Sequence, residues 1–400
     1  RRQVLEYREQ KMKSTLRRTW AEINLDALAY NYQRIREYIG KEVKFLGVVK
    51  ADAYGHGSVQ VGTKLQELGA DYLAVSSIDE AMELRVNGIT MPILILGHTP
   101  LEQVDRLICF NITQAVTCEA KALEYNQQAL AYGGKLKVHI KVDTGMSRLG
   151  YLCEGEHFKT GVEGIVNACN LPGLDAEGIF THFAVADEEG EEYKKYTLHQ
   201  YELFCHTIKG VEEKLGREFK IHHCANTGAT VEYPQTYMDM VRPGLLLYGY
   251  GEFARKLNLR PVMSVKTTVS TIKIYPAGTK ISYGGIYTTD KVTRMGVIPY
   301  GYADGFMRCL SNQYRVWTNE GEAQQCGRIC MDMCMVDLTG KTSVDVGSEI
   351  EIFGEHQPVE KMAEMAGTIP YEIVCAVSRR VHRIYIENHE VSYQELMLRM

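Results

Sequence analysis

From residue 25 onward the chain alternates between two hydrophobic periods. LDALAYNYQRIREYIG (25–40), SVQVGTKLQELG (58–69), IDEAMELRVNG (78–88) and EAKALEYNQQALAYGG (119–134) place apolar residues three or four apart, the spacing of an amphipathic helix. Between and beyond them lie short apolar runs: VKFLGVVK (43–50), YLAVSS (72–77), PILILG (92–97), TQAVTC (113–118), KVHIKVDTG (137–145), LDAEGIFTH (174–182), FKIHHCAN (219–226) and VRPGLLLYG (241–249). A short helix near 101–107, one within 156–170 and a long one near 190–216 fill the remaining intervals. Runs this short and this continuously apolar read as strands buried on both faces. Strands that alternate with helices predict a parallel sheet. Eight such units in about 220–240 residues fit a (β/α)8 TIM barrel. An open doubly wound sheet is the alternative, and it is disfavoured by the lack of a Gly-x-Gly-x-x-Gly turn.

After residue 262 the texture changes. VMSVKTTVSTIKIY, TRMGVIPY, YRVWT, GRICMDMCMVDL and SEIEIFG are short, often alternating, and separated by Gly-rich turns, which predicts a second, mostly β domain. The resulting division is an N-terminal extension (1–17), a barrel (18–262) and a C-terminal β domain (263–400). The first residues, RRQVLEYREQKMK, lack the apolar core of a secretion signal. The longest apolar runs, MPILIL and PGLLLYGY, fall far short of the ~20 residues that span a bilayer. A net charge of −5 argues against a nucleic-acid partner. The 11 cysteines are scattered and odd in number, as expected of reduced thiols in a cytoplasmic chain. Cys326, Cys330 and Cys334 are four apart, expected on one face of a strand and too widely spaced to share a zinc ion, so no metal is expected.

The first strand ends on Lys50, in KFLGVVKADAYGHG. A buried ammonium is costly unless it is paired or loses its proton, and a lysine that loses its proton is a nucleophile and a base. The plain alternative is a lysine that simply leaves the core for solvent. In a barrel, chemistry sits at the C-terminal ends of the strands. That rim collects Lys50, Arg148 after the fifth strand, His182 at the end of the sixth, Asn226 and Thr227 after the seventh, and Arg242 and Gly244 in the eighth. Each has a structural explanation taken singly: an ion-pair partner for Arg148, a satisfied core histidine for His182, a helix cap for Thr227. Their joint placement favours a site. The loops after strands seven and eight are the usual phosphate site of this architecture. Asn-Thr-Gly (226–228) opening a helix and Pro-Gly (243–244) offer backbone N–H groups with little bulk. A phosphate cradle facing a strand-one lysine suits a phosphorylated aldehyde, pyridoxal phosphate, held as a Schiff base on Lys50.

VVKADAYGHG closely resembles the segment around the cofactor lysine of the bacterial alanine racemases. KVDTGMSRLG, THFAVADE, HCANTGA, VRPGLLLYG, ISYGG, PYGYADG, GRICMDMCMVD and PYEIVC also resemble family segments, in the family's order, over roughly residues 17–390. The resemblance implies a pyridoxal-phosphate-dependent barrel plus β domain, in a head-to-tail homodimer that shares its active sites. It implies that Lys50 and Tyr283 are the two catalytic bases, Tyr283 arriving from the other subunit. Racemisation takes a proton from one face of Cα and returns it to the other, which one base on each side accomplishes. Tyr54, Thr227, Gly244, Leu245 and Tyr371 would hold the phosphate, with Asn226 beside them. Arg242 would face the pyridine nitrogen, fixed by His182, and since arginine does not give up its proton the ring would stay unprotonated. Arg148 would bind the substrate carboxylate, oriented by a carbamylated Lys141. Met331 and Asp332 of the second subunit would shape the substrate site, with Tyr302 at its entrance. The chain departs from the family's common pattern in Thr227, where serine is frequent, and in GMSR, where Gly-Met-Gly-Arg is frequent.

The expected activity is interconversion of L- and D-alanine, supplying D-alanine for peptidoglycan. The nearest alternative is a serine (serine/alanine) racemase, because an apolar pocket rejects an added hydroxyl weakly. The serine-type relatives tend to lack the tyrosine matching Tyr371 and to carry a membrane domain. A barrel-type decarboxylase would not need Tyr283, and a non-catalytic cofactor-binding protein would resemble the barrel alone.

Overall fold

The computed structural model describes residues 18–395. The N-terminal segment 1–17, read above as an extension, lies outside them. Eight parallel strands form the first body: Lys44–Val48, Tyr72–Val75, Ile93–Ile95, Thr113–Val116, Leu136–Asp143, Leu174–Phe180, Ile221–His223 and Met240–Val241. They stand side by side in chain order, and the eighth pairs in parallel with the first, Met240 opposite Lys44 and Val241 opposite Phe45. Strands seven and eight share no ladder but are bridged by Asp239 N–H to His222 O (3.1 Å) and Arg242 N–H to Ala225 O (2.9 Å). The sheet is therefore a nearly closed barrel of the TIM kind. Its strands are buried along most of their length, fully so at Leu46, Leu73, Leu94, Val138 and Ile179 among others, and inside it Tyr72 Oη donates to Glu177 Oε1 (3.5 Å) and His139 Nδ1 meets His223 Nε2 (2.9 Å).

The eighth strand is much shorter than the expected 241–249. Pro243 has no N–H to give a ladder, Gly244 turns the chain (φ −101°, ψ −102°), and Leu245–Tyr248 close into a 3-10 turn. The first strand also stops early, at Val48, so Lys50 opens the following turn instead of ending the strand.

The second body is a ten-stranded sheet with two helices, Val359–Ala366 and Pro370–Ala376. Thr19–Asn24, from the stretch expected to belong to the barrel, is one of its inner strands. It lies antiparallel to Met263–Thr268 and parallel to His382–Glu387. The described residues thus start in the second sheet and enter the barrel through helix Leu25–Ile39, capped by Asn24 Oδ1 accepting from Ala27 N–H (2.8 Å). The two bodies share one continuous core. The three cysteines do not share a strand. Cys326 ends strand Gly321–Cys326, Cys334 begins its antiparallel neighbour Cys334–Asp337, and Cys330 lies in the connection. The Gly327 backbone (φ +78°) turns the chain between them, which the regular spacing of four did not foretell.

Candidate active site

Lys50 begins a single left-handed helical turn. Ala51, Asp52, Ala53 and Tyr54 all have φ between +51° and +54°. Each such residue costs about 1–2 kcal/mol, so consecutive ones persist only where the surroundings hold them. The holding groups are visible. Glu80 accepts from Ala51 N–H through one carboxylate oxygen (2.6 Å) and from Ser76 N–H through the other (2.7 Å). Asp52 accepts from Ser58 N–H (2.8 Å). The His56 Nδ1 faces the carbonyls of Ala53 (2.9 Å) and Tyr54 (3.0 Å), and burial takes that imidazole down to about 4, so it stays neutral and donates. The second body closes over the turn. Arg383 donates to Gly55 O (3.0 Å) and Tyr385 Oη to His56 O (3.1 Å). A Cβ on Gly57 (φ +94°) would stand 1.8 Å from Tyr385 Oη, and one on Gly55 2.3 Å from Val374 O. Glycine is required there by contact as well as by conformation.

The turn delivers Lys50 into a cavity of about 1230 Å³ at the C-terminal rim of the barrel. Burial, then the Arg148 guanidinium, push the amine below the usual range of lysine, against the pull of Glu80 and Cys375. The cavity is also lined by Tyr54, Lys141, Arg148, His182, Asn226, Thr227, Arg242, Gly244, Leu245 and Tyr371. Every barrel residue picked out from the sequence therefore meets Lys50 in one space, together with Tyr371 of the second body.

Arg242 is buried beneath this space. Its Nη1 donates to His223 Nδ1 (3.0 Å), and its Nη2 to Thr181 O (2.8 Å), Cys224 O (3.1 Å) and His182 Nδ1 (3.2 Å). All four acceptors are neutral. Burial lowers the guanidinium to about 10, which leaves it charged at neutral pH. Burial and Arg242 together hold His182 and His223 well below the usual histidine range, so both accept rather than compete as cations.

Opposite lies a cradle of hydroxyls. Gly244 N–H donates to Thr227 Oγ1 (3.0 Å), and a Cβ on Gly244 would stand 2.8 Å from Tyr54 Oη. The Tyr371 hydroxyl faces the Leu245 backbone and the Thr227 side chain, which counter the rise in its proton affinity on burial. The Tyr54 and Tyr371 rings meet edge to face at 5.4 Å. Asn226, not Thr227, caps the helix Thr227–Glu232, its Oδ1 accepting from Ala229 N–H (3.1 Å), which leaves the Thr227 hydroxyl for the cradle. Lys141 Nζ is buried with no hydrogen-bond partner, 4.9 Å over the Phe180 ring. Burial, then Arg242 and Arg148, push it well below the usual lysine range. Ser147 of GMSR adopts a left-handed φ of +56°, where the glycine common in the family carries no Cβ penalty.

Tyr283, Tyr302, Met331 and Asp332 are not in this cavity; they lie on the second body. Tyr283 is 70 % exposed, Met331 53 % and Tyr302 43 %. Tyr283 borders a separate depression of about 410 Å³ with Cys330 and Met333. One chain brings Lys50 together with the cradle and does not bring it together with Tyr283. Glu80 and His223 escaped the sequence reading. Ser77-Ile-Asp-Glu80 carries the Ser-x-x-Glu pattern of a capping box, a signal that could have marked Glu80, although its carboxylate serves the Lys50 turn instead of the Ser77 N–H.

The comparisons agree along nearly the whole chain. The family model "Alanine racemase, N-terminal domain" matches residues 23–252 and "Alanine racemase, C-terminal domain" matches 262–385. The chain is 41 % identical over 383 residues to alanine racemase 2 of Caldanaerobacter subterraneus, covering 94 % of this chain and 97 % of that one. It is 43 % identical over 372 residues to the alanine racemase of Desulforamulus reducens, covering 92 % and 98 %. Among solved structures it superposes on the alanine racemase of Clostridium difficile 630 with a TM-score of 0.90 at 39 % identity, covering 96 % of this chain and all of the other (100 %). A Bacillus anthracis alanine racemase with bound L-Ala-P gives a TM-score of 0.87 at 33 % identity, covering 96 % and 98 %. Two domain models in order, relatives matched nearly end to end and the shared fold lead to one conclusion: the chain belongs to the alanine racemase family.

Proposed function

We propose that this protein is a pyridoxal-phosphate-dependent racemase that interconverts L- and D-alanine, working in the cytoplasm and supplying D-alanine for peptidoglycan. Family membership makes it an isomerase of the amino-acid racemase type. The observation that carries the cofactor reading is the convergence of Lys50, buried Arg242 and the Tyr54–Thr227–Gly244–Tyr371 cradle on one cavity. The residues fit the cofactor: an amine below its ordinary proton affinity for the aldehyde, three hydroxyls and small-residue amides for the phosphate, a fixed cation for the ring nitrogen. When bound, the cofactor supplies an electron sink for the charge left on Cα.

The chain's own residues do the rest. Arg242 keeps its proton and would therefore offer the ring nitrogen a hydrogen bond without a full charge, which would restrain the cofactor's side reactions. Arg148, exposed on its loop, receives the substrate carboxylate. Lys50 moves a proton on one face of Cα, and Tyr283 of a second copy moves it on the other. The exposed apolar group formed by Tyr283, Ile286, Tyr302, Met331 and Met333 supports a homodimer, because such side chains are normally covered. Among the described residues no helix is long and apolar enough to cross a membrane.

Replacing Tyr54 by Phe and Thr227 by Val together is expected to weaken cofactor binding about 10- to 100-fold, through two lost hydrogen bonds to a charged group. Equilibrium dialysis of pyridoxal phosphate measures this, and unchanged binding would place the phosphate elsewhere. The unpartnered Lys141 amine supports the carbamate reading, since carbon dioxide adds to a neutral amine with loss of a proton. The carbamate would give buried Arg148-facing space a negative charge. A carbamate carbon signal from 13C-bicarbonate that disappears in Lys141→Arg is the expected result; its absence from the unmodified chain would leave Lys141 a plain amine.

A further inference from the structure

Two acidic side chains on the second body share one arginine. Asp304 is 1 % exposed. Its Oδ2 accepts from Gly301 N–H (2.8 Å) and its Oδ1 from Arg380 Nε (2.7 Å). The far end of the same guanidinium, Nη2, donates to Asp332 Oδ1 at 2.7 Å. Arg18 adds a contact to each, Nη1 at 3.7 Å from Asp304 Oδ1 and Nη2 donating to Asp332 O (2.9 Å).

The backbone around them is laced in the same way. Tyr302 N–H donates to Cys330 O and Ala303 N–H to Met331 O, both at 3.0 Å. A Cβ on Gly301 would stand 2.4 Å from each of those carbonyl oxygens. The peptide groups of 330–331 are thus fixed by 301–303, whereas the Asp332 side chain is fixed by Arg380. Three residues on, Arg383 grips Gly55 O of the Lys50 turn. One short segment therefore braces both the lysine of its own chain and the loop that carries Met331 and Asp332.

We infer that Arg380 is a positioning residue for substrate binding, holding the Asp332 carboxylate and the Met331–Asp332 turn against buried Asp304. The inference rests on the proposed reading, in which that turn faces the substrate in the other subunit's site. Its physical content is charge and geometry. The substrate is an amino acid and brings a carboxylate. A bare Asp332 beside it repels it; an Asp332 paired with Arg380 does not. The pairing needs a planar fork with one donor on each carboxylate, which lysine does not reproduce.

Arg380→Ala and Arg380→Lys are each expected to raise KM for alanine about tenfold or more and to leave kcat within about threefold, the pattern of lost uniform binding. Adding Asp332→Asn to Arg380→Ala removes the bare charge and is expected to bring KM back to that of Asp332→Asn alone. Unchanged KM in both arginine variants overturns the inference. So does a joint fall in kcat, cofactor affinity and thermal midpoint with KM unmoved, which is what a merely structural arginine would give. Hybrid dimers separate this from the reading beneath it. An Arg380→Ala chain paired with a Lys50→Ala chain has one live site, joining Lys50 of the first to the intact loop of the second. Normal KM there supports Arg380 acting across the dimer. KM still raised there keeps Arg380 as a positioning residue and overturns the sharing of sites between subunits.

Discussion

Lys50→Ala is expected to lower alanine racemisation by at least about 10⁴-fold while leaving the protein folded. The side chain lines the rim cavity and is not one of the buried core residues, so stability should move by no more than about 0.5 kcal/mol. The loss of activity should be near the upper end for a proton-transferring group, because in the proposed function the same amine would also anchor the cofactor. Urea denaturation checks the first part. Borohydride reduction of the cofactor-loaded protein, digestion and mass measurement check the second, with the cofactor mass found on the Lys50 peptide of the unmodified chain only. Activity within tenfold of the parent would remove Lys50 from the chemistry. Small primary amines added to the variant should restore part of the rate, since the left-handed turn leaves the space of the lost side chain open to the cavity.

Tyr283→Phe carries the second large effect. Racemisation should fall about 10²- to 10⁴-fold, the usual worth of a positioned acid–base group. The fall in kcat/KM must be equal in both directions, because two enantiomers have the same free energy. The asymmetry appears elsewhere. Lys50 still reaches one face of Cα, so in deuterated water one enantiomer should exchange its α-hydrogen with retention, and the other should not. Equal exchange of both enantiomers in Tyr283→Phe would show that a second base other than Tyr283 serves the opposite face. Removal of only an oxygen from a residue that is 70 % exposed in the single chain leaves folding aside.

Much of the barrel site was legible in the sequence because the barrel itself imposes the geometry. Once eight apolar runs are counted, Lys50, Arg148, His182, Thr227 and Arg242 fall on one rim, and the fold sets them around one cavity. The errors have local causes. GLLLYG has the apolar run of a buried strand, and only Pro243 and the Gly244 turn cut strand eight short. Strand Thr19–Asn24 has partners some 240 and 360 residues away, as in Ala21 opposite Val265 and Arg383, and no local period announces such pairing. The left-handed turn was illegible for a different reason. Four consecutive positive φ angles are foreign to Ala-Asp-Ala-Tyr; Glu80 and Arg383 impose them through contacts distant in sequence, joined by the local bonds of Asp52 and His56. Tyr283, Met331 and Asp332 could not be joined to the rim by any strand count, since a single chain keeps them apart; only the family resemblance connects them.

The most direct measurement is a chiral assay of the purified protein with pyridoxal phosphate, given L-alanine and L-serine in parallel. Rapid formation of D-alanine to an equal mixture of enantiomers, with D-serine forming clearly more slowly, is the expected result. D-serine forming as fast or faster, or no D-product from either amino acid, would contradict the proposed function.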